Sequence, residues 1–222
     1  MSEGSPAGQL RALVVDWGGV LTEPLDDALR AWAMLDGIDV EHYADVMRSW
    51  LGPHQGELAR ENPVAALERG EIEVPHFERQ LAARLSAVAG RDIAANGLLQ
   101  RMFDQFEHAP AMAGLVLRAR RAGLRTGLLS NSWGNEYPRE GWDEMFDAVV
   151  ISGEVGMRKP EPAIFDHILT LLDVRADETV FVDDLAHNVE AAGALGLVGV
   201  HHTSYEMTAA QLQQLFGVPL VG

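Results

Sequence analysis

Asp16 follows the apolar run Leu13-Val14-Val15, Ser130 follows Gly127-Leu128-Leu129, and the pair Asp183-Asp184 follows Val180-Phe181-Val182, while Lys159 stands between Arg158 and Pro160. A carboxylate, a hydroxyl, an ammonium and two further carboxylates are the groups that magnesium-dependent phosphoryl transfer uses: oxygen ligands for a hard cation, a nucleophile, and a counter-charge for phosphate oxygens. Each apolar run is bounded by turn-forming residues and reads as a strand buried on both faces, the kind found in parallel sheets. Its polar residue then falls at the strand's carboxyl end, where open α/β sheets bind ligands. One site results if the three strands are neighbours.

The elements that must position these groups alternate between strand and helix. Strands are expected at 13–16, 125–129, 148–151, 179–182 and 197–200, and helices at 111–122, 162–172, 188–195 and 208–216. Between Asp16 and Ser130 lies far more chain than the roughly 30 residues of a strand-helix-strand unit. That excess has helical periodicity, with helices expected at 26–35, 40–50, 62–69, 74–89 and 98–107, separated by Pro and Gly. The pattern predicts an α/β fold: a Rossmann-like, mostly parallel sheet flanked by helices, with an inserted all-helical subdomain over the carboxyl edge. The expected division is a core of residues 10–22 and 110–222 and a helical insertion of residues 23–109, placed to exclude water and select substrates.

Composition narrows the partners. The 222 residues carry 17 basic and 33 acidic side chains, a formal charge of −16, which repels polyanions and argues against nucleic acid. No apolar stretch approaches the roughly 20 residues of a membrane span, so no membrane association is expected. Residues 1–9 lack the basic start and apolar middle of a secretory signal. With no cysteine in the chain, a cytoplasmic location is the expectation. Oligomeric state is not legible in one sequence.

The strings Val15-Asp16-Trp17-Gly18-Gly19-Val20-Leu21, Leu129-Ser130-Asn131, Gly156-Met157-Arg158-Lys159-Pro160-Glu161-Pro162 with Ile164-Phe165, and Phe181-Val182-Asp183-Asp184 with Asn188, Ala191, Ala192 and Gly196 occur in this order on strand ends. In nearly its whole length the chain resembles the haloacid dehalogenase-like hydrolase superfamily. The resemblance implies a Rossmann-like core with the first strand central and a helical cap inserted after it. It also implies a small phosphorylated substrate and Mg2+ as cofactor. Asp16 is then the nucleophile that forms an aspartyl-phosphate, and Asp16, Asp183 and the Gly18 carbonyl are magnesium ligands. Asp184 would orient ligands or waters. Ser130 and the Asn131 backbone amide would bond phosphoryl oxygens, and Lys159 would neutralise charge on the phosphoryl group and on Asp16.

Gly18 departs from the pattern, because most phosphatases of the family carry there a second aspartate that protonates the leaving oxygen and activates water. Such help is worth ~10²- to 10⁴-fold. Three accommodations are expected: a good leaving group such as a sugar-1-phosphate or acyl phosphate, an acid from the insertion such as His54 or Glu57, or binding with feeble turnover. Trp50, Trp133, Asn135 and Tyr137 are candidate lining of the pocket mouth, with Trp32, Trp50 and Trp142 equally readable as core. His201-His202 reads as a surface pair and Arg158 as a surface or cap-contact residue. Two other functions stand beside the phosphatase: a 2-halo acid dehalogenase, which characteristically carries a tyrosine at position 18 and needs no metal, and a phospho-ligand binding or regulatory module.

Overall fold

The computed structural model describes residues 9–51 and 62–220. Five strands, β1 (Ala12–Val15), β2 (Arg125–Ser130), β3 (Ala148–Ile151), β4 (Thr179–Asp183) and β5 (Val198–His201), pair in the order β3-β2-β1-β4-β5. All four pairings are parallel. Every residue of β1 is buried, as a central strand covered on both faces requires. Its register places Val15 beside Leu128 of β2 and Val182 of β4. The chain ends of the three strands that carry Asp16, Ser130 and Asp183 therefore lie side by side on one edge.

After β1 the described residues form five helices, α1 (Leu25–Asp36), α2 (Val40–Leu51), α3 (Pro63–Glu68), α4 (Val74–Ala89) and α5 (Leu98–Phe103). Their apolar stripes close on one another, and Trp32, Trp50, Phe77, Leu81 and Leu98 share a hydrophobic cluster separate from those of the sheet. Asn62 starts α3 by accepting hydrogen bonds from the amides of Val64 (2.9 Å) and Ala65 (3.3 Å), with Pro63 in the first turn, where its missing N–H costs nothing.

The helix expected to run to residue 107 stops at Phe103. The backbone beyond it returns to the sheet, where the Glu23 amide donates to the Glu107 carbonyl (2.8 Å) and the Ala109 amide to the Leu21 carbonyl (2.9 Å). Those bonds pin the outgoing and returning chain together, and the amides of Gln105 and Phe106 turn onto the carbonyls of Met102 and Phe103, three residues back, in place of the four-residue ladder of an α-helix.

The second half adds α6 (Pro110–Arg121), α7 (Trp142–Met145), α8 (Ser152–Val155), α9 (Pro162–Leu172), α10 (Ala186–Ala194) and α11 (Tyr205–Phe216). Side chains alternate across the sheet. Leu13 and Val15 face the layer containing Met112, Leu115 and Leu212, whereas Val14 faces Phe165, Ile168 and Phe181. The four-residue α7 and α8 are too short for periodicity to reveal. Helix α11 begins at Tyr205 rather than 208 because the Ser204 hydroxyl caps it, accepting from the Met207 amide at 3.3 Å. Helix α10 likewise starts at Ala186, two residues before the expected position. Trp32, Trp50 and Trp142 are buried side chains, the core alternative for all three. Among the described residues no helix is long and apolar enough to cross a membrane.

The helical layer meets the sheet layer at close range. Gly70 has φ +69°, and a Cβ there would lie 2.7 Å from the Gly153 carbonyl oxygen, which is backbone and cannot swing aside. Left-handed backbone costs a residue with a Cβ about 1–2 kcal/mol before any clash. Gly70→Ala is therefore expected to lower unfolding free energy by at least about 1 kcal/mol, read as a reduced midpoint in urea with an unchanged slope. A midpoint equal to that of the parent protein would show that this contact does not constrain the fold.

Candidate active site

Asp16 lies one residue beyond β1, 7% exposed, its amide fixed by a 2.9 Å bond to the Val182 carbonyl of β4. Lys159 reaches it from the turn between α8 and α9. Although it bears a full charge, Lys159 is only 1% exposed, and its Nζ donates to Asp16 Oδ1 at 2.9 Å and to Asp183 Oδ2 at 2.7 Å. The turn is fastened by Asn131. Its Oδ1 accepts from the Lys159 amide (2.8 Å) and its Nδ2 donates to the Lys159 carbonyl (3.0 Å), so the side chain mimics a strand partner. The sequence assigned a role only to the Asn131 backbone amide; the doubly bonded side chain was missed, because nothing in the string ties residue 131 to residue 159.

Asp183 is wholly buried. Its Oδ1 accepts from the Leu185 amide (2.8 Å) and Asn188 Nδ2 (3.1 Å), and its Oδ2 from Lys159 Nζ and Asn188 Nδ2 (3.1 Å). Both oxygens are thus occupied by protein donors. Asp184 is partly exposed and packs against Gly19, where a Cβ would lie 2.4 Å from Asp184 Oδ2; at φ +67° position 19 accepts only glycine without strain. Asp16, Asp183 and Asp184 each offer a carboxylate oxygen, and these oxygens lie within 4.8 Å of one another.

Charge at this edge is unbalanced. Burial pushes the Asp16 carboxyl up to about 8; Lys159 opposes the rise, and Asp183 and Asp184 add to it. Asp184 is raised to about 6, first by burial and then by Asp183. Burial works to lower the Lys159 ammonium, but Asp16 and Asp183 together outweigh it and hold it above its ordinary value. One cation among three carboxylates leaves surplus negative charge, and an all-oxygen donor set of this kind suits a divalent hard cation. The residues present therefore fit magnesium.

Asp16, Gly18, Ser130, Asn131, Lys159 and Asp184 line one cavity of about 500 Å3. Asp183 lies beneath it, joined through Lys159. The Ser130 Oγ is 3.0 Å from the Tyr137 hydroxyl. Tyr137 does not reach the cavity wall; it packs edge-on against Trp17 and Trp142, behind the serine rather than at the mouth. Trp133 and Asn135 do line the cavity, as does Trp17.

Arg158 is a contact to the helical layer, its Nε bonded to Glu68 of α3. Glu68 also accepts from Trp133 Nε1 at 3.1 Å. No pattern in the sequence marked Glu68, whose partners lie 65 and 90 positions away.

His201 and His202 differ from a simple surface pair. Since β5 pairs with β4, His201 stands opposite Asp183, and its Nε2 lies 2.8 Å from the Asp184 backbone carbonyl. His202 is half-buried, its Nδ1 2.8 Å from Thr208 Oγ1, and burial lowers its pKa. Neither belongs to the carboxylate cluster. The suggested acids His54 and Glu57 lie outside the described residues.

Comparisons with known proteins agree with this layout. The chain is 34% identical over 155 residues to a sesquiterpene phosphatase of Aspergillus oryzae, spanning 68% of this chain and 77% of that protein. It is 27% identical over 198 residues to a D-ribitol-5-phosphate phosphatase of Bacteroides thetaiotaomicron, spanning 84% of this chain and 89% of that one. Several other curated relatives are longer, and the chain spans 19% to 40% of their length. A haloacid dehalogenase family enzyme of Bacteroides thetaiotaomicron, solved with magnesium and inorganic phosphate, superposes with a TM-score of 0.62 over 87% of this chain and 94% of its own, at 19% identity. That likeness is one of fold. The family model described as haloacid dehalogenase-like hydrolase matches residues 10–196, and the chain belongs to that family.

Proposed function

We propose that this chain is a magnesium-dependent phosphatase that hydrolyses a small phosphorylated metabolite through an aspartyl-phosphate on Asp16. The observation that carries the reading is the buried Lys159 ammonium bonded to Asp16 and Asp183 at the floor of a cavity that Ser130, Asn131 and Asp184 also line. The phosphatase names of two relatives support it, as does a similarly folded enzyme solved with magnesium and phosphate. Three clustered carboxylates speak against metal-free dehalogenation.

In this mechanism the Asp16 carboxylate attacks phosphorus, the bond from phosphorus to the ester oxygen breaks, and the electron pair departs on that oxygen. Water then attacks the phosphorus of the aspartyl-phosphate. The bond to Asp16 breaks, the attacking water gives up a proton to solvent and the departed ester oxygen takes one from it, so that inorganic phosphate, an alcohol and the free carboxylate result and one hard step is split into two easier ones. Lys159 screens the approach of an anionic phosphoryl group to Asp16, and the Ser130 hydroxyl and Asn131 amide hold its oxygens. When bound, magnesium neutralises phosphate charge. Asp16, the Gly18 carbonyl and Asp184 would hold it. The saturated hydrogen bonds of Asp183 assign that residue to orienting Lys159 and Asn188, which exchanges the roles first expected for Asp183 and Asp184. Residues 23–109 act as the cap.

Glycine at position 18 removes the usual acid and base, so turnover rests on the leaving group. Among the described residues a Cβ there would meet Leu25 Cδ1 alone within 4 Å, at an ordinary contact distance of 3.6 Å, so the backbone admits a side chain at that position.

Three outcomes test the reading. Asp16→Asn is expected to lower magnesium-dependent release of phosphate from acetyl phosphate by more than ~10⁴-fold with circular dichroism unchanged; residual activity near the parent level would exclude the covalent route. Saturating magnesium should raise the melting temperature of the parent by roughly 5–10 °C. Asp184→Asn should abolish most of that rise, whereas Asp183→Asn should keep it while lowering stability without metal by about 3 kcal/mol, since it breaks a buried charge pair. The opposite pattern would return the direct metal role to Asp183. Gly18→Asp should accelerate hydrolysis of an alkyl phosphate by ~10²-fold and that of acetyl phosphate far less; equal effects on both would mean that the missing acid does not limit turnover.

A further inference from the structure

We infer that the organic group of the substrate is apolar, a hydrocarbon chain or ring system ending in a phosphoryl group, rather than a sugar or other polyol. This inference rests on the phosphatase reading and names its substrate class. The cavity that begins at Asp16, Ser130 and Lys159 continues between α1, α3 and α5, where Leu25, Leu29, Val64, Met102, Phe103 and Phe106 form its wall. At about 500 Å3 it has the size of sites that enclose a whole small organic ligand.

The polar side chains of that wall are mostly committed to one another. Asn62 Oδ1 caps α3, and Glu68 holds Arg158 and the Trp133 indole. A polyol seated there would leave hydroxyls without partners, which weakens binding by roughly 10- to 100-fold for each one. Few side chains among the described residues remain able to meet an oxygen: at the phosphoryl end Asn188 Oδ1 is buried without a partner and His187 lines the wall. Asn135 Nδ2 is buried with no partner, and Tyr43, whose ring packs edge-on against Trp32, lines the cavity. Among the described residues this lining suits an apolar skeleton carrying one or two oxygens better than a sugar bearing four or five. The ground beside Gly18 is hydrocarbon too, since Leu25 Cδ1 is the nearest atom to a Cβ built there. Sugar-1-phosphate, one of the leaving groups that glycine at 18 suggests, meets no matching hydrogen-bond lining among the described residues.

Straight-chain alkylphosphonates from methyl to octyl keep the anionic head constant and cannot be hydrolysed. Titrated calorimetrically with magnesium present, below the concentration of micelle formation, they should bind about fourfold more tightly per added methylene while the cavity fills, the equivalent of ~0.8 kcal/mol each. Octylphosphonate should exceed methylphosphonate by at least roughly 100-fold, and glucose-1-phosphate should bind no more tightly than methylphosphonate. Leu29→Gln and Met102→Gln should each flatten the series; should either fail to fold, the parent series alone decides.

A flat series, or glucose-1-phosphate binding more tightly than octylphosphonate, overturns the inference. Phosphate release from acetyl phosphate is measured in parallel. Release with a flat series leaves the phosphatase reading standing and removes the apolar substrate. A steep series without release supports the apolar site and removes the hydrolytic reading instead.

Discussion

A lysine ammonium enclosed between two carboxylates is the constraint on which the rest of this structure depends. Withdrawing such a charge from water costs several kcal/mol unless it is closely paired and fully hydrogen-bonded. Lys159 meets that condition only because β1 and β4 are adjacent, so that Asp16 and Asp183 come within 2.9 and 2.7 Å of one nitrogen. The pairing also requires the turn before α9 to sit against the end of β2, which Asn131 secures through both backbone groups of Lys159. Three strand ends and one turn are thereby bound to a single position. Yet one cation cannot satisfy three carboxylates: burial first, and then the neighbouring carboxylates, hold Asp16 and Asp184 above their ordinary range, and further positive charge at this edge would oppose both shifts.

Much of this was legible in the sequence because the sheet is buried on both faces. Continuous apolar runs such as Leu13-Val14-Val15 and Val180-Phe181-Val182 have few other readings when a polar residue closes each, and the strand ends followed directly. What periodicity could not give was the partner of each side chain. Asn131 and Asn188 stood in recognisable strings, yet that one clamps a turn and the other saturates Asp183 depends on distances across the fold. The division of labour proposed for Asp183-Asp184 could not be read from the sequence for the same reason: two adjacent identical residues differ only in which way the backbone turns them, and Asp184 lines the cavity while Asp183 is wholly buried. Glu68 was invisible, being one acidic residue on a short amphipathic helix.

The turn that carries Lys159 joins two levels of the molecule. Lys159 enters the sheet edge while its neighbour Arg158 pairs with Glu68 in the helical layer, and Glu161 of the same turn pairs with Arg69. The Arg69 pair is partly exposed and contributes little by itself. The Arg158 pair is largely shielded, and Glu68 passes the contact on to Trp133, which follows the end of β2 and packs against Phe77 of the helical cluster with ring centroids 5.6 Å apart. The position of the helices and the position of the turn that carries Lys159 are therefore set by overlapping interactions. A substrate that presses on the cavity wall acts on the same residues that hold the lysine's turn.

This arrangement gives the apolar wall a chemical consequence. In the proposed mechanism, with no acid at position 18, charge neutralisation at the phosphoryl group lowers the barrier to breaking the ester bond, and electrostatic interactions strengthen as water is excluded. An organic group that fills the space between Leu25 and Phe106 displaces water from the face of Asp16, whereas a small or strongly hydrated group leaves it wet. Burial of the chain then does more than hold the substrate: it lowers the effective dielectric around the attacking carboxylate, Lys159 and the phosphoryl oxygens together. Under the proposed reading, binding energy from a part of the substrate remote from phosphorus is in this way available to the reacting centre.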